Sequence, residues 1–250
     1  VCIDTPVELN GLETLMRLLL LSNSSRPGEG YLEWPRPHLA SFLGTPRRKV
    51  LFVPYAGLRM TPAAYTATVR TVFEQLGHTI VGAAEQPDPL RALGECDAVA
   101  VGGGNTFHLL ARLHATGLLG AIRERVRAGM PYIGWSAGAN VACPTIRTTN
   151  DMPIVEPPSF EALGLVPFQI NAHFTDAAVP NHGGETRRQR IEEFLIANPG
   201  SEVVALPEGT GIEVAGTGAT LFGAAPALVF RAGAEPAEVA PGRTLLDSRP

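Results

Sequence analysis

Between Arg17 and Trp135, short apolar runs alternate with stretches of helical periodicity, and this alternation narrows the fold to one class. Arg17–Ser22 (RLLLLS) and Lys49–Tyr55 (KVLFVPY) are nearly uniformly apolar and bounded by turn residues. That is the pattern of a strand buried on both faces. His78–Val81, Asp97–Val101 and Met130–Trp135 read as further strands. Helices are expected between them, over Thr61–Gln75, Pro87–Leu93, Phe107–Leu113 and Leu118–Ala128. The first opens with Thr61 as N-cap and Pro62 at the first helical position, with Ala64, Val69, Val72 and Phe73 turned inward. Strand–helix–strand alternation implies a mostly parallel sheet covered by helices on both faces, an α/β chain of three-layer αβα architecture.

The second half has a different rhythm. A polar, proline-containing stretch runs from about Thr145 to Gln169, followed by a helix at Glu185–Ala197. Short strands are expected at Glu202–Leu206, Gly211–Val214, Thr220–Phe222 and Ala227–Phe230. Residues 1–15 fit no periodic pattern and read as a loose extension ahead of Met16. Residues 16–232 read as one α/β domain, and 233–250, rich in Ala, Pro and Gly, as a loose tail. With 45% hydrophobic and 18% charged residues there is material for a core, which excludes a disordered chain or a coiled coil. A net charge of −4 without a run of one sign argues against a nucleic-acid or anionic-membrane binder. Three cysteines without C-x-x-C spacing argue against a disulfide framework or a cysteine zinc site and suit a reducing cytosol. No apolar run approaches the ~20 residues of a membrane helix.

The sharpest chemical signal is Gly134-Trp135-Ser136-Ala137-Gly138, placed where a buried strand should turn into a helix at Ala137–Ala142. That is G-x-S-x-G in the strand–turn–helix setting of a nucleophile elbow, with Ser136 lifted above the sheet edge and helix amides behind it. As a bare pattern it is common, and a capping serine in a small-residue turn is the plain alternative. Gly102-Gly103-Gly104-Asn105 follows another strand at the same edge and suits an oxyanion donor or anion cradle. It has neither the Lys-Ser/Thr of a phosphate loop nor dinucleotide spacing. A serine nucleophile needs a base. Of six histidines, His108 and His114 fall within a helix, and His38 and His78 in ordinary surface contexts. His182 lies in a polar segment. His173 leads, because it ends the strand-like run Phe168–Ala172 and strand ends gather at the active edge. Glu208, after the strand Glu202–Leu206, and Asp151 compete for the third place; by base rate, either is a solvated turn residue.

These segments resemble the peptidase E family of serine peptidases, the α-aspartyl dipeptidases. The matching stretches are LLLLSNSS (18–25), VGGGNTF (101–107), YIGWSAGANVACPTIRTTNDMPIV (132–155), QINAHF (169–174), GETRRQRI (184–191) and LPEG (206–209). The resemblance implies a fold related to class I glutamine amidotransferases, with serine in place of their elbow cysteine. It implies hydrolysis of dipeptides with N-terminal aspartate in the cytoplasm, with no metal and no organic cofactor, and admits a homodimer. Ser136 matches the nucleophile and His173 the base, with Glu208 preferred to Asp151 as the orienting acid. Gly103 or Gly104, together with Ala137, would supply oxyanion amides. Selectivity for aspartate calls for a cation, for which Arg187 leads and Arg147 is second, since a guanidinium grips a carboxylate bidentately. Asn105 joins them as a substrate-binding candidate.

Two rival readings use the same residues. An esterase of the α/β-hydrolase type would run in the order Ser–Asp–His, with Asp151 and His173. A flavodoxin-like small-anion binder would use the glycine loop alone and need no Ser136.

Overall fold

In the computed structural model, which describes residues 16–177 and 183–245, the five apolar runs of the first half lie side by side. In chain order the elements are β1 (Arg17–Leu21), α1 (Arg36–Leu43), β2 (Lys49–Val53), α2 (Pro62–Gln75), β3 (Thr79–Gly82), α3 (Pro89–Gly94), β4 (Ala98–Val101), α4 (Thr106–Ala115), α5 (Leu118–Arg127), β5 (Tyr132–Trp135) and α6 (Ala137–Asn140). There follow β6 (Gln169–Phe174), α7 (Arg187–Ala197), β7 (Glu202–Pro207), β8 (Thr210–Ala215), β9 (Gly218–Gly223), β10 (Ala227–Arg231) and β11 (Ala237–Val239). The large sheet has the order β3-β2-β4-β5-β1-β8-β9. Its first five strands are mutually parallel, and β8 and β9 are added antiparallel.

Alternate residues of each strand face opposite cores, which is why the runs are apolar throughout. Leu19, Leu21, Phe52, Ile133 and Trp135 face α1 and α2. Leu18, Leu20, Val53, Val101 and Tyr132 face α3 to α6. A second sheet, β11-β10-β7-β6, packs its inner residues Ile170, Val204, Leu206 and Val229 into that same core. Its outer face, with Phe174, Val203 and Phe230, is covered by Ile191 and Leu195 of α7. The chain is therefore a mixed α/β fold with a large, mostly parallel sheet flanked by helices, as the alternation implies. The second sheet is an addition that local periodicity does not reveal.

Several local expectations change. Val69, Val72 and Phe73 of α2 are inward as expected, but Ala64 is exposed and Tyr65 and Thr66 are buried in its place, Tyr65 being held by hydrogen bonds to Gly103 and Trp135. His78 is buried, its Nδ1 accepting from the Arg48 N–H at 3.2 Å. The region from 233 is not loose as far as 245: β11 pairs with β10, and Leu245 is fully buried with its N–H on the Ala219 carbonyl. Residues 1–15, read as an extension, and 246–250 lie outside the described residues. Among the described residues no helix is long and apolar enough to cross a membrane.

Because β4, β5 and β1 are adjacent and parallel, their carboxyl ends open at one edge. Gly102–Gly104, Ser136 and Ser22–Asn23 follow those three ends.

Candidate active site

Ser136 takes φ 53° and ψ −113°, a left-handed backbone that a non-glycine residue holds only when its surroundings force it. The flanking glycines leave the room that this tight turn needs. A Cβ on Gly134 would stand 2.4 Å from the Gly138 carbonyl oxygen, and one on Gly138 would stand 2.1 Å from that of Val101. No other residue fits either place. The N–H of Ser136 donates to the Leu21 carbonyl at 3.0 Å, tying the elbow to β1. The helix behind it, expected to reach Ala142, ends at Asn140. A single turn contributes individual amides rather than a macrodipole.

The Ser136 Oγ lies 2.9 Å from His173 Nε2, and His173 Nδ1 lies 2.8 Å from Glu208 Oε1. An ionised carboxylate only accepts, so Nδ1 carries the proton and Nε2 is left to accept from the serine hydroxyl. His173 also has positive φ, 56°, where the pairing of β6 with β7 slips between Asn171 and Phe174. Such a bulge re-aims a side chain, here out of the second sheet towards the edge of the first.

Three consecutive residues at the end of β1 hold all three carriers. Leu21 takes the Ser136 N–H, as above. Ser22, fully buried, accepts from the His173 N–H at 2.9 Å and donates to the Leu206 carbonyl at 2.8 Å. Asn23 Oδ1 accepts from the N–H of Gly209, beside Glu208, at 2.9 Å. Neither Ser22 nor Asn23 is singled out by sequence reasoning, although two polar residues directly after a buried strand are a readable signal.

The glycine loop lies against Ser136: a Cβ on Gly103 would be 3.0 Å from that of Ser136. Gly104 has φ 138° and packs on the Ala56 carbonyl, where a Cβ would lie at 2.1 Å. The N–H groups of Gly104 and Ala137 donate to no backbone carbonyl among the described residues.

The other candidates divide. Arg187, at the start of α7, donates through Nη1 to the His173 carbonyl and is half-buried. Desolvation, then the neighbouring Arg190, lowers its pKa, while Glu208 pulls it back up. Asp151 is not brought to His173; its Oδ2 accepts from the Thr106 N–H at 2.7 Å, the Thr106 hydroxyl at 2.6 Å and the Thr149 hydroxyl at 3.1 Å. Asn105 caps α4, taking the His108 N–H on Oδ1 and giving Nδ2 to the Met152 carbonyl. Arg147 is exposed and lines a cavity of about 180 Å³ with Gln169 and Glu202, at the opposite end of β6 from His173. His108 bonds the Tyr55 carbonyl, and His182 lies outside the described residues.

Comparison with known proteins gives this geometry its setting. A profile of peptidase family S51 matches residues 18–222. The chain is similar to peptidase E of a Nostoc species, 49% identical over 225 residues that cover 90% of this chain and 93% of that one. It is also similar to peptidase E of Citrobacter koseri, 51% identical over 220 residues covering 88% and 96%. The chain belongs to peptidase family S51. It is a serine-type peptidase. A crystal structure of a protein from Listeria monocytogenes named as a putative peptidase E shares its fold, with TM-score 0.64 and 24% identity over 84% of this chain and 99% of that one. So does a peptidase from an acI-B1 actinobacterium, with TM-score 0.69 and 17% identity over 92% and 96%.

Proposed function

We propose that this S51 peptidase hydrolyses dipeptides with N-terminal aspartate, through an acyl-enzyme on Ser136 with His173 as general base and Glu208 as the orienting acid. The observation that carries the reading is the unbroken hydrogen-bonded chain from Ser136 Oγ through His173 to Glu208, mounted on a strained elbow. The hydroxyl attacks the carbonyl after aspartate while Nε2 takes its proton. The oxyanion is received by the N–H groups of Ala137 and of Gly103 or Gly104. The imidazolium then protonates the leaving amine, and the C–N bond breaks. Water repeats the sequence, releasing aspartate and restoring the serine hydroxyl. Glu208 holds the Nδ1–H tautomer and stabilises the imidazolium.

Arg187 is the cation we assign to the aspartate side chain, on the strength of its half-buried position next to His173. Arg147 and Asn105 are left with structural tasks. The engagement of Asp151 by Thr106 and Thr149 speaks against the Ser–Asp–His order of an esterase. Three cysteines without a framework suit the cytosol, where we place the enzyme. The test is chromatography of Asp-Leu, Glu-Leu, Asn-Leu and N-acetyl-Asp-Leu after incubation with the protein. Cleavage of Asp-Leu alone is expected; equal cleavage of Asn-Leu would refute the aspartate reading, and no cleavage of any of them the dipeptidase reading.

A further inference from the structure

The glycine loop is held at three points. The Gly102 N–H donates to the Val53 carbonyl at 3.1 Å, and the Asn105 N–H to the Ala56 carbonyl at 2.9 Å. Between them, the hydroxyl of Tyr65, from α2 on the opposite side of the sheet, donates to the Gly103 carbonyl at 3.2 Å. Tyr65 fits so closely that a Cβ on Gly102 would lie 2.7 Å from its oxygen. Its proton has a fixed direction. The indole Nε1 of Trp135, which can only donate, lies 3.0 Å from both the Tyr65 and the Tyr31 oxygen and shares its one proton between them, and Tyr31 donates to the Tyr65 oxygen at 2.9 Å. With two donors arriving, the one proton of Tyr65 goes to Gly103. Burial pushes both phenols above their ordinary range, so both stay protonated donors at neutral pH.

A trans peptide points its C=O and N–H in opposite directions. The carbonyl of Gly103 shares its peptide with the N–H of Gly104, so a bond on the first sets the direction of the second. Trp135 is the residue immediately before the nucleophile. The side chain that precedes Ser136 thus reaches, through Tyr65, the loop that packs against Ser136.

We propose that Tyr65 is a positioning residue for the oxyanion site: its hydroxyl, oriented by Trp135, locks the Gly103–Gly104 peptide with the Gly104 N–H turned to the oxyanion formed at Ser136. This rests on Ser136 being the nucleophile, and it explains why the elbow carries tryptophan at its second position. Flexing of a polyglycine segment would otherwise scatter that donor, since glycine populates many backbone conformations.

Tyr65→Phe and Tyr31→Phe separate the tasks. Removing an oxyanion donor outright costs about 10²–10³ in kcat; freeing one to wander should cost about 10–10². Tyr65→Phe should therefore lower kcat for Asp-Leu by about 10–10²-fold with KM within about two-fold. It should slow covalent labelling of Ser136 by a small fluorophosphonate by a similar factor, because that reaction uses the same amides. Tyr31→Phe leaves Trp135 directing Tyr65 and should change both rates by less than about three-fold. Wild-type kcat in Tyr65→Phe, a loss carried by KM alone, or an equal loss in Tyr31→Phe would overturn the assignment. If the wild type is labelled at Ser136 but cleaves no Asp dipeptide, the substrate reading falls and the labelling rates alone decide Tyr65. A wild type not labelled at Ser136 overturns both.

Discussion

Replacing Ser22 with alanine removes one hydroxyl and strands two backbone groups. The His173 N–H loses its acceptor and the Leu206 carbonyl its donor. Ser22 is fully buried, so water does not reach either group. An unsatisfied buried polar group costs about 1–3 kcal/mol. His173 also holds a left-handed backbone worth about 1–3 kcal/mol of strain, which the Ser22 bond helps to offset. Relaxation of the bulge recovers part of this, so the expected net destabilisation is about 2–4 kcal/mol. For a chain of this size that lowers Tm by about 5–15 °C. Relaxing the bulge also swings the imidazole, and a displacement of about 1 Å at the reacting atoms costs about 10²-fold. Circular dichroism melting and Asp-Leu kinetics well below Tm read both effects. The expected result is a lower Tm together with kcat down by about 10²-fold and KM within about three-fold. A lower Tm with wild-type kcat would show that Ser22 supports the sheet and not the imidazole, and the clamp argument would fail.

Glu208→Gln should cost far more activity than Asp151→Asn, with both folds intact by circular dichroism; the reverse order would return the orienting role to Asp151. In Arg187→Ala the ratio of kcat/KM for Asp-Leu over Asn-Leu should collapse towards unity, by about 10–10²-fold, a range kept below that of a fully buried pair because the guanidinium is only half-buried. An unchanged ratio would move carboxylate recognition to neutral donors. Burial pushes the Cys143 thiol up to about 12, so at pH 8 only about one molecule in 10⁴ carries the reactive thiolate. Iodoacetamide should leave Cys143 unmodified by peptide mapping and activity intact; rapid alkylation there would contradict the packing behind the elbow.

Local pattern carried the elbow and the parallel sheet, because strand burial and the steric demands of Gly134 and Gly138 act within a few residues. It carried the start of α2 as well, since Thr61 and Pro62 specify an N-terminus by themselves. It carried Val69, Val72 and Phe73 on the inward face of that helix but not its first turn, where Tyr65 is buried instead of Ala64, drawn in by Gly103 and Trp135, partners far away in the chain. The choice between Glu208 and Asp151 was open for the same reason. Both are acids in turns; what separates them is that Thr106 and Thr149 occupy Asp151 while a bulge in a second sheet brings His173 to Glu208. Cross-sheet placement depends on long-range pairing, as does β11, whose three residues gain strand character only beside β10.

The kinetics of Ser136→Ala, His173→Ala and the double variant on Asp-Leu test the account most directly. Residues that act in one step do not lose activity additively. Each single variant should lose at least about 10⁴-fold in kcat, and the double variant should be little worse than either. Losses that multiply in the double variant, or substantial turnover by Ser136→Ala, would contradict a serine mechanism built on Ser136, His173 and Glu208.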